Sequence, residues 1–177
     1  MKVTAGIYKG RNIKNPQYEH LRATSDIVKQ ALFNKIYEKI EGAKVLDLFC
    51  GTGALGIEAL SRGASEVVFA DKNFKSYNLT KENLKSLDID ARVIKLPYEK
   101  TLQILSGEKF DIILLDPPYQ AGLYENCMDL IEKYELLNAN GVIVCEHDKT
   151  IKLNITNFVL VDEKIYGIKK LSYYVKR

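Results

Sequence analysis

The stretch Val45-Leu46-Asp47-Leu48-Phe49-Cys50-Gly51-Thr52-Gly53-Ala54-Leu55-Gly56 restricts the possible folds more than any other part of the 177-residue chain. Its apolar run, Val45, Leu46, Leu48 and Phe49, reads as a strand buried on both faces, the habit of a parallel sheet. Missing Cβ atoms at Gly51 and Gly53 let the backbone adopt positive φ and come close to a ligand. A helix starting at Ala54 then points its first amides into the same crevice, which suits a small polar ligand. A plain tight turn between strand and helix, with Asp47 capping the helix, accounts for the same residues.

The alternation of strands and helices from Ala43 onward strengthens the parallel-sheet reading. Apolar runs place strands at 44–49, 66–70, 91–96, 110–115 and 141–146, and helical patterns occupy 54–62, 74–87, 98–105 and 124–134. Two β-rich runs at 157–166 and 170–176, joined at Gly167-Ile168-Lys169, predict an antiparallel hairpin that closes the sheet. Such alternation specifies a doubly wound α/β sheet with ligands at the carboxyl ends of the strands. Ahead of it, Lys2 to Ile13 predicts two short strands turning near Lys9-Gly10, and then a helix capped by Thr24 or Ser25. Ile27, Val28, Ala31, Leu32, Ile36 and Ile40 give that helix an apolar stripe, and Gly42 ends it. The chain divides into residues 1–41, a hairpin-and-helix extension, and residues 42–177, the main domain.

Composition narrows the function classes. Cys50, Cys127 and Cys145 are odd in number and widely spaced, which fits neither a disulfide framework nor a C-x-x-C metal site. Cys50 is expected to be a buried small hydrophobe. Two histidines, His20 and His147, argue against a His-based metal site or catalytic triad. Without a membrane-spanning apolar run or the apolar core of a signal peptide, the chain is expected to be cytoplasmic, with no membrane partner and a monomeric state. Charge is uneven: residues 1–40 hold eight Lys/Arg against three acids, while the remainder holds 18 against 20. A basic front end on a near-neutral body points to a polyanion approached from one side.

Three strand ends carry the chemistry. G-x-G-x-x-G alone points first to a dinucleotide, but Asp47 inside the strand would repel a pyrophosphate and suits a ligand bearing an amino group and a sulfonium. Asp71 lies 20 residues after Gly51 at the next strand end, where a carboxylate can accept both hydroxyls of a ribose; a helix cap is the alternative role. At the fourth strand end stands Asp116-Pro117-Pro118-Tyr119. Two prolines remove two donors and stiffen the turn, leaving carbonyls as acceptors beside a carboxylate and a planar ring. The exocyclic amine of a nucleobase needs this set, two acceptors for its hydrogens and a face to stack on.

Asp-Leu-Phe-Cys-Gly-Thr-Gly followed by Asp-Pro-Pro-Tyr resembles the amino-methyltransferases that use S-adenosylmethionine. Across nearly its whole length the chain resembles the RsmD-type 16S ribosomal RNA guanine-N2 methyltransferases. The resemblance rests also on Ala5 to Arg11, on Leu21 to Asn34 and on Gly53 to Ala64. It implies a Rossmann-like class I methyltransferase sheet, mostly parallel, with a C-terminal antiparallel hairpin and a small N-terminal β-hairpin and helix extension. It further implies that Asp47 and the turn Phe49, Gly51, Thr52 and Gly53 hold the amino-acid part of S-adenosylmethionine. Asp71 would hold the ribose, and Lys72 and Pro97 would be further cofactor-binding residues. Asp116 and the Pro117 carbonyl would grip a guanine N2 amine, with Pro118 stiffening the turn and Tyr119 stacked on the base. Lys9, Arg11 and Arg22 would hold phosphates of 16S ribosomal RNA, free or in a small-subunit assembly particle. The chain departs from the family at Arg22-Ala23-Thr24, where Arg-Pro-Thr is frequent, and at Leu96-Pro97-Tyr98, where relatives carry a polar residue. Two other enzymatic readings use the same residues: methylation of adenine N6 in DNA or RNA, and NAD-dependent oxidoreduction, which leaves Asp116 to Tyr119 without a role. A non-catalytic RNA-binding module would not need the three carboxylates together.

Overall fold

The structure is a computed structural model that describes residues 1–16 and 25–177. Arg22, His20 and the candidate cap Thr24 lie outside the described residues. Strands β1 (Lys44–Asp47), β2 (Glu66–Ala70), β3 (Arg92–Ile94), β4 (Phe110–Leu115), β5 (Leu137–Asp148), β6 (Val159–Tyr166) and β7 (Lys169–Val175) form one sheet. Helices α1 (Asp26–Lys35), α2 (Ala54–Ser61), α3 (Phe74–Ser86), α4 (Tyr98–Ile104) and α5 (Leu123–Lys133) complete the alternation.

The strand order is β3-β2-β1-β4-β5-β7-β6. Strands β1 to β5 pair in parallel, and β7 runs antiparallel between β5 and β6. Strand order therefore reverses beside β1: β2 and β3 lie on one side, β4 and β5 on the other. The crevice above the carboxyl ends of β1 and β4 is the topological switch point, where ligands of such sheets bind.

Residues of one strand alternate between two cores. Val45 and Val67 join a cluster with α1, α2 and α3, while Leu46 and Val68 join one with α4 and α5. Both faces are covered, which is why these strands read as continuous apolar runs. Gly56 shows how tightly one layer sits: a Cβ there would lie 2.2 Å from the Phe69 ring, so α2 rests directly on β2.

β2 and β4 occupy the predicted spans. β1 stops at Asp47 rather than Phe49, because the Cys50 amide turns away to the carbonyl of Ala70. Ser25 is the cap of α1, its Oγ accepting the Val28 amide. On that helix Ile27, expected on the buried stripe, is exposed, whereas Lys29 is fully buried.

The two arms predicted to turn near Lys9-Gly10 do fold back on each other, as a minimal antiparallel pair. Lys2 bridges Asn12, the Val3 amide donates to the Arg11 carbonyl, the Gly10 amide to the Val3 carbonyl and the Ile13 amide to the Met1 carbonyl. The turn between the arms bonds to the end of α2. The Ile7 amide donates to the Ser61 carbonyl, the Tyr8 amide to Ser61 Oγ, and Ser61 Oγ to the Ala5 carbonyl. The backbone groups of residues 5–8 are committed to that helix end, so the pairing stays confined to residues 1–3 and 10–13. Gly6, at φ +81°, is required there, since a Cβ would fall 1.7 Å from the Ser61 carbonyl oxygen.

A buried charge cluster fastens the same segment. Glu58 accepts the Thr4 amide and hydroxyl, the Ala5 amide and Arg62 Nε, and its Oε2 lies 3.4 Å from Lys29 Nζ. Lys29 Nζ in turn donates to the Lys2 carbonyl at 2.6 Å. Among the described residues, no helix is long and apolar enough to cross a membrane.

Candidate active site

The parallel register sets Asp47 level with Phe69 on β2 and Leu114 on β4. Asp47, Asp71 and Asp116 therefore leave three neighbouring strands at one edge of the sheet, around the switch point.

Asp47 ends β1 and is buried, its Oδ2 accepting the Gly56 amide at 3.0 Å. This bond is the helix-capping role that stood as an alternative for the residue. Among the described residues, no lysine or arginine forms an ion pair with it. Burial pushes its carboxyl from 3.8 up to about 7; the Gly56 amide opposes the rise and the charge of Asp71 adds to it. A carboxylate in this condition gains most from a cation brought in by a ligand.

The glycine turn is shaped from both ends. Gly51 and Gly53 take φ of +54° and +82°, which side chains with a Cβ disfavour. Thr52 Oγ1 accepts the Ala54 amide, helping to open α2. Two residues that motif reading misses hold the turn from α3: Thr80 Oγ1 donates to the Gly51 carbonyl at 2.9 Å, and Asn83 Nδ2 to the Thr52 carbonyl at 2.8 Å. Their signal is the polar stripe Ser76, Thr80 and Asn83, repeating at helical spacing on a face that proves to be buried. Cys50 packs in the core as expected, and burial raises its thiol out of the nucleophilic range.

Asp71 stands at the end of β2. Its Oδ2 accepts the Gly51 amide at 3.1 Å and its Oδ1 the Asn73 amide at 2.9 Å, with burial raising its pKa. The cap of α3 is Asn73, which accepts the amides of Lys75 and Ser76. Asp71 is thus oriented towards the glycine turn and is half-buried, which leaves room for hydroxyl donors on its remaining lone pairs. Lys72 is exposed beside it. Phe49 is partly buried with its ring 6.0 Å from that of Tyr98, and Pro97, exposed, opens α4 below them.

Asp116 is half-buried at the end of β4, Pro117 is buried, and Pro118 is exposed. Tyr119 is 76% exposed, a large aromatic surface presented to solvent. It lines a groove of about 530 Å³ with Tyr124, Asp148, Thr150 and Lys152. Tyr124 is anchored by its hydroxyl to the Glu146 carbonyl at the end of β5. Of the basic residues, Lys9 and Arg11 are exposed. Arg11 donates to the Ser86 carbonyl and Lys14 pairs with Glu82 at 3.3 Å, so the front end lies along the C-terminal half of α3. The ends of β1, β2 and β4 thus bring to one edge of the sheet a buried carboxylate with no cation partner among the described residues, a glycine cradle, an oriented second carboxylate, and a third carboxylate beside an exposed aromatic ring.

Comparison with known proteins places the whole chain in one family. A family model described as Conserved hypothetical protein 95 matches residues 1–175. The YlbH protein of Bacillus subtilis is 37% identical over 183 residues, covering both chains completely. Ribosomal RNA small subunit methyltransferase D of Haemophilus influenzae is 34% identical over 98% of this chain and 93% of its own. Among solved structures, a hypothetical protein of Thermus thermophilus superposes with a TM-score of 0.86 at 28% identity, covering 100% of this chain and 99% of that one.

Proposed function

Because the chain belongs to the Conserved hypothetical protein 95 family, that of the RsmD-type methyltransferases, we propose that it methylates the exocyclic N2 amine of a guanine in 16S ribosomal RNA, using S-adenosylmethionine. The observation that carries this reading is the convergence of Asp47, Asp71 and Asp116 on one crevice, with Pro117-Pro118-Tyr119 at its rim.

The residues fit that cofactor. Asp47 is a buried carboxylate lacking a cation, the glycine turn offers close backbone approach, and Asp71 has acceptor capacity for a ribose. When bound, S-adenosylmethionine supplies a methyl group already activated by its sulfonium. Asp47 and the turn Phe49, Gly51, Thr52 and Gly53 are assigned to the amino-acid end, Asp71 with Lys72 to the ribose, and Pro97 to the adenine side. The protein's remaining task is alignment and control of a proton. Asp116 and the Pro117 carbonyl accept the two hydrogens of the amine, which draws its lone pair out of conjugation with the base. Asp116 also faces the positive charge that nitrogen acquires on forming its new bond, the kind of preorganised stabilisation that contributes most to such steps. The extra proton leaves to Asp116 or to water. Pro118 stiffens the turn and Tyr119 stacks on the extruded base. Lys9, Arg11 and Arg22, in the extension formed by residues 1–41, are assigned to RNA phosphates.

The test is transfer of labelled methyl to 16S RNA and to small-subunit particles that lack the modification, with nucleoside analysis of the product. N2-methylguanosine is the expected product. Label on adenine N6 would move the chain to the other nucleobase, and absence of transfer to either substrate would overturn the reading.

A further inference from the structure

The exposed face of α3 has a composition that the active site does not use. Phe74, Tyr77, Lys81 and Lys85 recur at spacings of three and four residues, so they stack along one side of the helix. The opposite side, with Ser76, Thr80, Asn83 and Leu84, is the buried one. Phe74 is 62% exposed at the first turn, where an aromatic ring has no packing reason to stand in water. Lys95, next after β3, places its ammonium 5.1 Å from the Phe74 ring centroid and 5.8 Å from that of Tyr77. Lys81 lies 5.3 Å from the Tyr77 ring on the other side. Two lysines thus alternate with two aromatic rings, and Lys72, Lys75 and Lys85 extend the positive surface. The acids nearby are fewer: Glu82 is paired with Lys14, and Asp88 and Asp90 lie beyond the helix end in the groove beside Lys81 and Lys85.

We infer that this face is a second RNA-binding platform, which carries single-stranded RNA between the basic front end and the active site. Cations alternating with an exposed ring, Phe74, and a half-buried one, Tyr77, are what unpaired nucleotides require, since lysines meet phosphates and a ring offers a stacking face to any base. A duplex presents no free base faces and would gain only the charge. Location supports the path. Phe74 begins three residues after Asp71, and the Asp71 amide bonds the carbonyl of Ile94, the residue before Lys95, so the platform starts at the crevice rim. Its other end, at Glu82 to Ser86, is where Lys14 and Arg11 rest. The inference rests on the RNA-methylating reading for the identity of the strand, although binding itself can be tested without catalysis.

The experiment measures fluorescence anisotropy with a labelled single-stranded RNA of about twelve nucleotides, within the span such surfaces cover, across a salt series. Lys81→Glu with Lys95→Glu is expected to weaken binding about a hundredfold at low salt and to flatten the salt dependence. Phe74→Ala is expected to weaken it about tenfold, and Lys81→Arg with Lys95→Arg to restore wild-type affinity. S-adenosylmethionine binding by calorimetry should stay unchanged in all of them, which reports that the variants fold. Wild-type affinity in the double Glu variant overturns the platform. An effect of the lysines with none from Phe74, or equal affinity for a duplex of the same length, overturns single-strand recognition. If the wild-type protein transfers no methyl to RNA, the activity reading fails, while these affinities still decide the platform.

Discussion

Asp47 and Glu58 are both buried carboxylates attached to α2, one capping its start and one near its end, yet their surroundings are opposite. Glu58 is surrounded by the Thr4 and Ala5 amides, the Thr4 hydroxyl, Arg62 and Lys29. Its charge is met entirely by the protein's own donors, so it works as a fastener for the front end. Among the described residues Asp47 has one amide and no cation, and burial has pushed it up to about 7. Desolvating a charge without pairing it costs several kcal/mol, a cost a fold has no reason to carry for a cap that a neutral side chain could supply. The difference separates a charge that holds the structure together from one kept in readiness for a ligand.

The comparison breaks most visibly at Glu58. Glu58→Ala takes from the fully buried Lys29 its buried partner, leaving it the half-exposed Asp26 and the Lys2 carbonyl, and about 3 kcal/mol of stability should be lost, measured by urea denaturation. Cofactor affinity of the folded fraction should be unaltered. A loss below about 1 kcal/mol, as for a surface pair, would place Glu58 among exposed ion pairs.

Asp116 extends the contrast to the chemical step. Asp116→Asn keeps an acceptor but removes the negative charge, at a cost of about 3 kcal/mol in the barrier, a hundredfold in rate, with stability and cofactor affinity intact. Single-turnover transfer with saturating cofactor reads this. A near-normal rate would leave Asp-Pro-Pro-Tyr as a rigid strand exit.

At Asp47 the two properties should move apart. Asp47→Asn is expected to leave unfolding free energy at pH 8 equal or higher while weakening S-adenosylmethionine about tenfold, or about 1.4 kcal/mol. The sign with pH comes from a folded pKa of about 7 against 3.8 in the ordinary state. The folded chain binds the proton more tightly, so this group's contribution to stability is full below the lower value and is lost as pH rises through the upper one. Cofactor affinity runs the other way, falling below pH 7 as the carboxylate is neutralised and levelling off near the tenfold loss of Asp47→Asn. Calorimetry across pH 5.5 to 8 tests it against Asp47→Asn, whose profile should be flat. Parallel profiles in the two proteins would refute the assignment.

Smallest is Tyr119→Phe. The stacking face is kept, so the rate should stay within about twofold. A loss as large as that of Asp116→Asn would give the hydroxyl a part in the chemistry.

Much of the fold and site is legible in the sequence. β2 and β4 are readable at their observed spans because they are apolar runs bounded by Asp71 and Asp116, residues with an evident reason to end a strand. The three carboxylates stand out for the same reason: a charge inside an apolar run conflicts with its surroundings. The return of the front end on itself is legible, but its bonds to Ser61 and Glu58 run far along the chain, and local pattern cannot report them. Lys29 is hidden likewise, since a lysine on a helix reads as solvated until Glu58 is known to lie opposite. Thr80 and Asn83 escape because support of a turn by a distant helix leaves no motif.

The docking of residues 1–16 also governs when the protein can finish folding. Its anchors lie 53 to 75 residues downstream: Ser61 and Glu58 on α2, then Asn83, which bonds both the amide and the carbonyl of Lys14, and Ser86. During synthesis the segment is made long before any of them, and only its own short antiparallel return holds it meanwhile. Contacts of such separation form only after the intervening chain has been emitted and ordered. A segment made before its anchors is therefore among the last to find its place, and it does so against a core already assembled around α2 and α3.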